Sequence, residues 1–421
     1  MLHTLYVDMN SFFASVEQQL DPHLRGRPVA VVPMDVDTTS VIAASYEAKA
    51  FGIKTGTRVG DAKRMCPGLI CVQGAHDNYI RMHHAVIAAI DTVLPVDRVC
   101  SVDEFACRLL RDERLPDRAA ELATRMKAAI RKHCGLCMTS SIGIAPNRFL
   151  AKVAADIKKP DGFTIIQKHE LPQRLYSLKL MDFPGIGPKM HQRLLSAGIS
   201  TVQRLCELSP TELRRAWGSI IGEEWHSRLR GEQLHEAHTI TRSIGHSNVL
   251  SPKRRGEEEA RAVAVRLLSK VAQRARAMGY VGEQLTVGVR FLVPRDHPPQ
   301  KWHETIKLPG TMGGGGQNDT GSLLRALTSA WSRKPKGTML KLGITLHNLT
   351  PIASATPGLF TDKRDSARLS TALDLVNKKW GADTLYPASM HSAKKAAPRR
   401  IAFGNIPDLD LPDTDDPLDG D

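Results

Sequence analysis

The spacing of apolar residues predicts alternating strands and helices over residues 3–168. Apolar runs typical of strands cover residues 3–8, 28–32, 97–101, 104–110 and 138–144. Helical spacing covers about 11–20, 78–93 and 116–133, and Asn10 or Ser11 is expected to cap the first helix. Residues 40–77 are expected to form an Ala- and Gly-rich insertion with short helices. This order favours a mixed sheet with helices on one face, in which the first strand and the 97–110 hairpin can be neighbours.

The pattern changes twice in the rest of the chain. Residues 175–232 are helical and contain the turn FPGIGPK, and a polar linker over 233–244 follows them. The third part, 245–350, combines a basic helix with several strands and a glycine run. Its elements are a helix over 257–278, strands near 284–292, 302–307 and 339–347, and a flexible loop at 313–316. A last helix is predicted over 366–380, before a tail rich in Asp and Pro that is expected to be disordered.

Two of the predicted strands carry acidic residues inside apolar segments. Asp8 lies in the first strand, and Asp103 and Glu104 lie within the hairpin. Buried carboxylates are costly unless something pairs with them, and hard oxygen ligands suit Mg²⁺. If the strands are neighbours, the three carboxylates converge and could hold two divalent ions for phosphoryl transfer. Two unrelated exposed acidic turns are the alternative.

The balance of charge indicates a polyanionic partner. The formal net charge is +14, although residues 408–421 carry no positive charge. Nucleic acid is the expected polyanion, and an ordinary soluble basic protein is the alternative. In FPGIGPK, Gly185 and Gly187 permit a tight turn beside Ile186 and Lys189, and free N–H groups there can bind a phosphate oxygen. The run Lys253, Arg254 and Arg255 is either a solvated face or a second contact with the same duplex.

Cysteine usage and the absence of long apolar runs bear on where the protein works. The seven cysteines are odd in number and scattered, which is typical of reduced thiols. Cys134 and Cys137 have CxxC spacing, but no partner pair for a zinc site is visible. The chain has no secretory signal and no run long enough to span a bilayer. We therefore expect a cytoplasmic protein.

Five motifs resemble those of the Y-family (translesion) DNA polymerases, and the polymerase IV branch is the most similar. In chain order they are VDMNSFFASVE, SYEAKAFGIKTG, SVDEF, SSIGIAPNRFLAKVAADIKKPDG and FPGIGPK. The resemblance covers about residues 3–350 and implies an α+β multidomain, right-hand polymerase. It implies a ferredoxin-like palm at 1–33 and 76–168, small fingers at 34–75 and a helix-hairpin-helix thumb at 169–232. A linker at 233–244 would lead to an α/β little finger at 245–350, and a connector, helix and tail would follow at 351–421.

The resemblance also implies roles for particular residues. Asp8 and Asp103 would bridge two Mg²⁺ ions, Glu104 would bind the catalytic ion, and the Met9 carbonyl would complete the other site. Phe13, next to Phe12, falls where the family places the ring that excludes a ribose 2′-hydroxyl. The positions that contact the incoming triphosphate correspond to Tyr46, Lys49 and Lys159.

Three positions depart from the polymerase IV pattern. Lys49 stands where that branch has Arg, and Lys cannot make the bidentate phosphate contact of Arg. Ala43 replaces a hydroxyl residue, and Asn10 stands where Asp is common. Around Lys49 the chain is more similar to the catalytic subunit of polymerase V. None of these changes removes a catalytic carboxylate.

The resemblance implies low-fidelity synthesis without proofreading, on primer–template DNA and dNTPs, by a monomer. A sliding clamp is an expected partner, through Leu359 and Phe360 of TPGLF, although the usual leading Gln is missing and a simple linker is the alternative. Three other readings of the whole chain are an inactive polymerase-like accessory protein, a nucleotide cyclase and a DNA-binding scaffold. The retained carboxylates argue against an accessory protein and against a scaffold. A nucleotide cyclase would leave the hairpin and Phe13 unexplained.

Overall fold

The computed structural model describes residues 1–234, 241–294, 297–308, 316–355 and 364–397. The chain divides into two compact units, the N-terminal and C-terminal units, with the boundary between residues 236 and 237. Leu359 and Phe360, residues 313–315 of the glycine run and the tail beyond 397 lie outside the described residues. None of the helices in the described ranges has the length and apolar character needed to cross a membrane.

The N-terminal unit is built on two sheets. Its elements are β1 (Thr4–Met9), α1 (Phe12–Leu20), β2 (Val29–Val32), β3 (Ala43–Ala44), α2 (Tyr46–Ala50), α3 (Val59–Met65), β4 (Ile70–Gln73), α4 (His76–Asp91), β5 (Val96–Ser101), β6 (Glu104–Arg108), α5 (Pro116–Cys134), β7 (Ser140–Ala145), α6 (Arg148–Ile157), β8 (Phe163–Ile165), α7 (Pro188–Ser196), α8 (Val202–Glu207), α9 (Pro210–Trp217) and α10 (Ile221–Leu229). The larger sheet has the order β5-β6-β1-β7-β8, and β1 is antiparallel to both of its neighbours.

Helices cover both faces of the five-stranded sheet, so the prediction of helices on one face was wrong. Because side chains alternate along β1, Leu5 and Val7 join the apolar core with α1, α4 and α5. Tyr6 points the other way and packs with Leu150 of α6. Neither α6 nor β8 is among the predicted elements. The face that carries Tyr6 also carries Asp8, and this face holds the candidate site.

The second sheet of the unit is small. Its order is β3-β2-β4, with β3 antiparallel and β4 parallel to the central strand. Val41, Ile53 and Val59 are buried against it and form a separate apolar cluster with α2 and α3. The domain boundary expected between residues 33 and 34 therefore falls within a single sheet.

Residues 175–232 are mainly helical, as predicted. The first part consists of 3-10 turns, including Leu180–Asp182, and α7 to α10 follow. Phe183, Leu194 and Trp225 lie in the same apolar cluster as α6, which anchors these helices to the sheet face opposite α4 and α5.

The C-terminal unit is an antiparallel sheet with helices on one face. It contains β9 (Ser243–Val249), α11 (Glu257–Ala277), β10 (Tyr280–Phe291), β11 (Lys301–Lys307), α12 (Thr320–Trp331), β12 (Met339–Pro351) and α13 (Arg364–Trp380). The strand order is β11-β10-β12-β9. Leu267 of α11 and Leu323 of α12 are buried with Leu285 and Ile344 of the sheet. Since β9 starts at Ser243, the last residues of the predicted linker belong to this sheet, and α12 was not predicted.

A segment after α13 completes the core of the C-terminal unit. Met390, Ala393 and Ala396 are buried in the same cluster as α11. The guanidinium of Arg266, on α11, is almost fully buried and lies 2.5 Å from an Asp383 carboxylate oxygen. The predicted helix over 366–380 is confirmed, but the residues that follow it are part of the domain rather than a connector.

Candidate active site

Asp8 and Glu104 are paired across the central strands of the larger sheet. In the antiparallel register of β1 and β6, Asp8 lies opposite Glu104. Beyond this pair, the Met9 backbone N–H donates to the Asp103 carbonyl at 2.9 Å. The prediction that the first strand and the hairpin are neighbours is confirmed. The structure therefore brings the three carboxylate-bearing residues to one place on the sheet.

Two lysines compensate the charge of these carboxylates. The Nζ of Lys152, on α6, contacts Asp8 Oδ2 and lies 2.6 Å from Glu104 Oε1. The Nζ of Lys159 lies 2.7 Å from Asp8 Oδ1. Both ammonium groups also contact Asp156 Oδ1, at 3.2 and 2.7 Å respectively. The site is therefore a compact network of carboxylates and cations on the sheet face covered by α6.

The two aspartates differ in their proton affinity. Burial alone would raise the pKa of Asp8, but the ammonium groups of Lys152 and Lys159 outweigh it and hold that pKa below its ordinary value. Burial raises the pKa of Asp103 to about 6; the hydrogen bond from Ser101 opposes this rise, and the charges of Asp8 and Glu104 add to it. The Ser101 hydroxyl donates to Asp103 Oδ1 at 2.5 Å. Asp8 is thus the fully ionised member of the pair at neutral pH.

Glu104 is oriented by a phenol. The Tyr6 hydroxyl donates to Glu104 Oε2 at 3.1 Å, and burial followed by the charge of Glu104 raises the pKa of Tyr6. The tyrosine therefore remains a hydrogen-bond donor throughout the neutral range. This contact leaves Oε1 of the same carboxylate to Lys152.

The donor set suits a divalent cation. Within the described ranges, no three His, Cys, Asp or Glu side chains are already arranged as a metal-binding group. The reason is visible in the contacts above, since Asp8 and Glu104 turn toward lysine ammonium groups. Their oxygen atoms are nonetheless the hard ligands that Mg²⁺ prefers, and the site already accommodates positive charge. Asp8, Asp103 and Glu104 therefore fit the role of metal ligands.

The predicted triphosphate contacts lie beside this network. Lys49, on α2, donates to Ser11 Oγ at 2.6 Å, and its Nζ lies 4.2 Å from the centre of the Tyr46 ring. Burial, and then the charge of Lys159, lower the pKa of Lys49. Burial raises the pKa of Tyr46, on which Lys159 and Asp8 act in opposite directions. Lys49, Tyr46 and Lys159 are thus within electrostatic reach of Asp8.

Ser11 is the N-cap residue of α1, as predicted, but no side-chain cap forms there. Its backbone has φ 47°. Asn10 is almost fully buried, and its Nδ2 donates to Ser141 Oγ at 2.9 Å. Its Oδ1 accepts from the Asp161 N–H at 2.7 Å. Because an Asp could not donate to Ser141, the amide suits this position, and it holds the loop just after Lys159.

Phe12 and Phe13 are both buried in the apolar core that includes α4. Phe13 stacks on Tyr79, with ring centres 4.4 Å apart and planes inclined by 26°. The centres of the two phenylalanine rings lie 5.7 Å apart. The expected division, one ring inward and one toward the site, is not visible as a difference in burial, since both side chains are less than a tenth exposed.

The FPGIGPK turn leads into α7. Gly185 has φ 97°, a left-handed conformation that favours glycine, while Gly187 is the extended N-cap and Pro188 is the first helical residue. Ile186 is buried, which fixes the turn, and Lys189 is exposed. The helix before the turn is only the 3-10 segment Leu180–Asp182. The structure thus presents the start of α7 and Lys189 to solvent.

The basic run of the C-terminal unit is partly engaged by its own domain. Lys253 is exposed, whereas Arg254 and Arg255 are half-buried. Arg255 Nε donates to the Leu250 carbonyl at 3.3 Å. Arg254 Nη1 is buried without a hydrogen-bond partner among the described residues. Lys253 is therefore the member of the run most available to another molecule.

Comparison with known proteins assigns the family. Residues 7–156 and 241–359 match models of the impB/mucB/samB family and of its C-terminal domain, and residues 177–224 match a SAM-like helix-hairpin-helix tandem. A DNA polymerase IV of Moorella thermoacetica is 33% identical over 398 residues, 91% of this chain and 95% of that protein. The chain belongs to the Y-family DNA polymerases. DNA polymerase IV 1 of Bacillus subtilis is 35% identical over 295 residues, 68% of this chain and 69% of that protein.

The structural comparison supports the same fold. A Y-family DNA polymerase chimera is similar over 83% of this chain and all of that chain, with a TM-score of 0.67 and 23% identity. The predicted right-hand polymerase architecture is confirmed. This chain is a DNA-directed DNA polymerase of the translesion class.

Four residues of the site in this polymerase are not among the predicted ones: Tyr6, Ser101, Lys152 and Asp156. The last two could have been found from helical spacing, because Lys152 and Asp156 are four residues apart on α6 and Lys159 follows after three more. Residues at such positions share one face of a helix. Tyr6 had a signal of its own, since it lies two residues before Asp8 in a strand and so shares the same sheet face.

Proposed function

We propose that this polymerase adds deoxynucleotides to a primer 3′ end at Asp8, Asp103 and Glu104, with two Mg²⁺ ions as cofactors. The supporting observation is the register pair of Asp8 and Glu104, with Asp103 next to Glu104 in the chain. When bound, the ions would lower the pKa of the primer 3′-hydroxyl and neutralise negative charge on the triphosphate.

The carboxylates are held in place by rigid neighbours. Asp8 lies on the central strand of the sheet, Tyr6 fixes Glu104, and Ser101 fixes Asp103. In this proposal the carboxylates of Asp8, Asp103 and Glu104, together with the Met9 carbonyl, would hold the two ions. Ligands oriented in this way need little rearrangement when substrate binds.

The incoming nucleotide would lie on the side of Lys49, Tyr46 and Lys159. Their ammonium and phenol groups would donate to the triphosphate oxygen atoms and orient the α-phosphate. Lys159 pairs with Asp8 and Asp156, so its transfer to a phosphate would free an oxygen of Asp8. Phe13, at the start of α1, would exclude a ribose 2′-hydroxyl.

DNA would be bound through its backbone at several separate points. The exposed start of α7 with Lys189 offers N–H groups and a cation to one phosphate region. The C-terminal unit offers Lys253 and a row of paired strand residues, Arg290 with Lys301 and Lys341. Contacts of this type are independent of sequence, so affinity is expected to fall steeply with salt.

Low-fidelity synthesis on damaged templates is expected from the translesion class to which the chain belongs. Contact of Leu359 and Phe360 with a sliding clamp stays a prediction, as do the monomeric state, the cytoplasmic location and the assigned palm, fingers, thumb and little-finger boundaries. No observation favours an inactive accessory protein, a cyclase or a scaffold.

Primer extension with Asp103→Ala tests the proposal. Asp97→Ala, an exposed carboxylate on the same hairpin, is the matched control. On a primed template with Mg²⁺ and four dNTPs, wild type and the control should extend the primer while Asp103→Ala loses at least about 10²-fold in rate. Fluorescence anisotropy should show unchanged primer–template binding by all three. Extension by Asp103→Ala at the wild-type rate would overturn the site assignment.

A further inference from the structure

Lys152 sits at the centre of the carboxylate network. Its side chain is 18% exposed, and its Nζ contacts Asp8, Glu104 and Asp156. A lysine ammonium has three N–H donors, so this group has one carboxylate for each donor. The residue is therefore held as a built-in cation between the two ligands that face each other across β1 and β6.

We propose that Lys152 competes with divalent cations for Asp8 and Glu104, and so sets how tightly the active site binds metal. This inference rests on the proposed role of these carboxylates as metal ligands. A positive charge bonded directly to both ligands opposes a second cation at the same oxygen atoms. Metal binding then requires that the Lys152 ammonium gives up its contacts with Asp8 and Glu104.

Asp156 provides the place to which Lys152 can withdraw. The two residues are four apart on α6, and Lys152 Nζ already lies 3.2 Å from Asp156 Oδ1. The backbone of α6 does not need to move. The side chain of Asn147 accepts from the Leu150 N–H at its first turn, and Ala151 and Val153 on either side of Lys152 are buried. A rotation of the Lys152 side chain alone would move its ammonium group from three carboxylates to Asp156.

Lys152 and Lys159 differ in where they are attached. Lys152 lies within α6, packed over the sheet, and its Nζ is 5.8 Å from the centre of the Tyr6 ring. Lys159 follows the helix end at Ile157, in the loop held by Asn10. Lys159 is therefore free of the helix and can move toward a bound nucleotide, whereas Lys152 is anchored in α6 beside Asp156. Lys152 is therefore a positioning residue of the metal site rather than a triphosphate contact.

Metal titration of full-length protein tests this role. Lys152→Met keeps the aliphatic stem and removes the charge, and Lys158→Met removes an exposed lysine six residues farther along the chain. Free Mn²⁺ is measured by electron paramagnetic resonance, without DNA or nucleotide, on samples whose circular dichroism confirms folding. Lys152→Met should bind Mn²⁺ about fivefold or more tightly than wild type. Two unit charges about 4 Å apart repel by about 1 kcal/mol even in bulk water, and removing that repulsion changes a binding constant by about this factor. Lys158→Met should match wild type.

Equal or weaker Mn²⁺ binding by folded Lys152→Met would overturn the inference. If wild type binds no Mn²⁺, or if Asp103→Ala binds it as well as wild type does, the proposed metal site fails instead. The two failures are therefore distinguishable in one set of titrations.

A second measurement uses the wild-type protein alone. Acylation of lysine amines by a small reagent, followed by mass spectrometry, reports whether each ammonium is engaged. Acylation of Lys152 should become several-fold faster as Ca²⁺ rises to saturation, because displacement from Asp8 and Glu104 exposes the amine. Lys158 should react at a constant rate. A Lys152 rate that Ca²⁺ leaves unchanged would contradict displacement, even if Lys152→Met cannot be purified.

Discussion

Lys49 donates a hydrogen bond of 2.6 Å to Ser11 Oγ and thereby joins α2 to the start of α1. These two segments carry Tyr46 on one side and Phe13 on the other, so the contact links the predicted triphosphate and sugar sites. A hydroxyl acceptor needs only a point charge with a free N–H, which Lys provides. This partner gives a physical reason why Lys can stand where the polymerase IV pattern has Arg.

Loss of the Lys49 ammonium should weaken nucleotide binding. Lys49→Ala is expected to raise the KM for dNTP by roughly ten- to a hundredfold, the range for a charged hydrogen bond, with a smaller change in kcat. Single-nucleotide incorporation kinetics measure both parameters. Lys54→Ala, an exposed lysine just beyond α2, is the control and should leave KM unchanged. A KM for Lys49→Ala equal to that of wild type would remove Lys49 from the nucleotide site.

Phe12 and Phe13 provide a matched pair for the sugar gate. Both rings are buried, so either truncation to Val should destabilise the protein by about 1–3 kcal/mol through lost packing. Only Phe13→Val should also increase insertion of ribonucleotides relative to deoxynucleotides, by roughly 10²-fold, the discrimination that an apolar pocket exerts against an added hydroxyl. Competitive incorporation of rNTP against dNTP measures this ratio. Equal selectivity in the two variants would show that the Phe13 ring is part of the core alone.

Breaking the buried Arg266–Asp383 pair should destabilise the C-terminal unit. Asp383 has φ 55°, which Asn tolerates, so Asp383→Asn removes the charge with little backbone strain. Loss of the carboxylate charge that faces the buried Arg266 guanidinium should lower the free energy of unfolding by about 3–5 kcal/mol. The control Glu304→Gln breaks a partly exposed pair with Arg333 and should change it by about 1 kcal/mol or less. Urea unfolding followed by circular dichroism measures the free energy of unfolding of both variants. A similarly small decrease in both would contradict the predicted importance of the Arg266–Asp383 pair.

His83 should make the N-terminal unit less stable in mild acid. Burial lowers its pKa below 6.5, the bond to the Val102 carbonyl opposes this, and neighbouring His84 adds to the lowering. The unfolded chain therefore binds the proton more tightly than the native one, and stability falls as pH drops below about 6.5. In His83→Asn, thermal unfolding should depend less on pH between about 5 and 6.5. His133→Asn, an exposed control, should follow wild type, and parallel curves for all three would exclude His83.

The parts of the site that lie on regular strands were predictable from sequence. Asp8 and Glu104 interrupt apolar strands, and period-two alternation is enough to place them on one sheet face once the strands are neighbours. The three departures at Ala43, Lys49 and Asn10 were also visible. The hydrogen-bond or ion-pair partner of each side chain could not be predicted from the sequence. Ser11 was expected to cap α1, but its hydroxyl accepts from Lys49, a residue on another element.

The elements that were missed share a physical cause. β4 and β8 are short, and their pairing partners β2 and β7 lie far away in the chain, so local spacing carries little information about them. α6 is rich in Ala, and its polar face reads as charged surface until Asp8 and Glu104 are known to lie opposite. α12 follows a glycine run, which obscured its start at Thr320. Tertiary contacts determine these segments more than local preference does.

The core of the C-terminal unit has a consequence for exchanging domains between polymerases of this family. Similarity to the family's C-terminal domain ends at residue 359. Met390, Ala393 and Ala396 nevertheless fill the core beside α11, and Asp383 neutralises Arg266. A chimera joined at residue 359 would lack the side chains that fill this core and the carboxylate that faces the Arg266 guanidinium. In this polymerase the segment to be exchanged as a C-terminal domain therefore extends through residue 397.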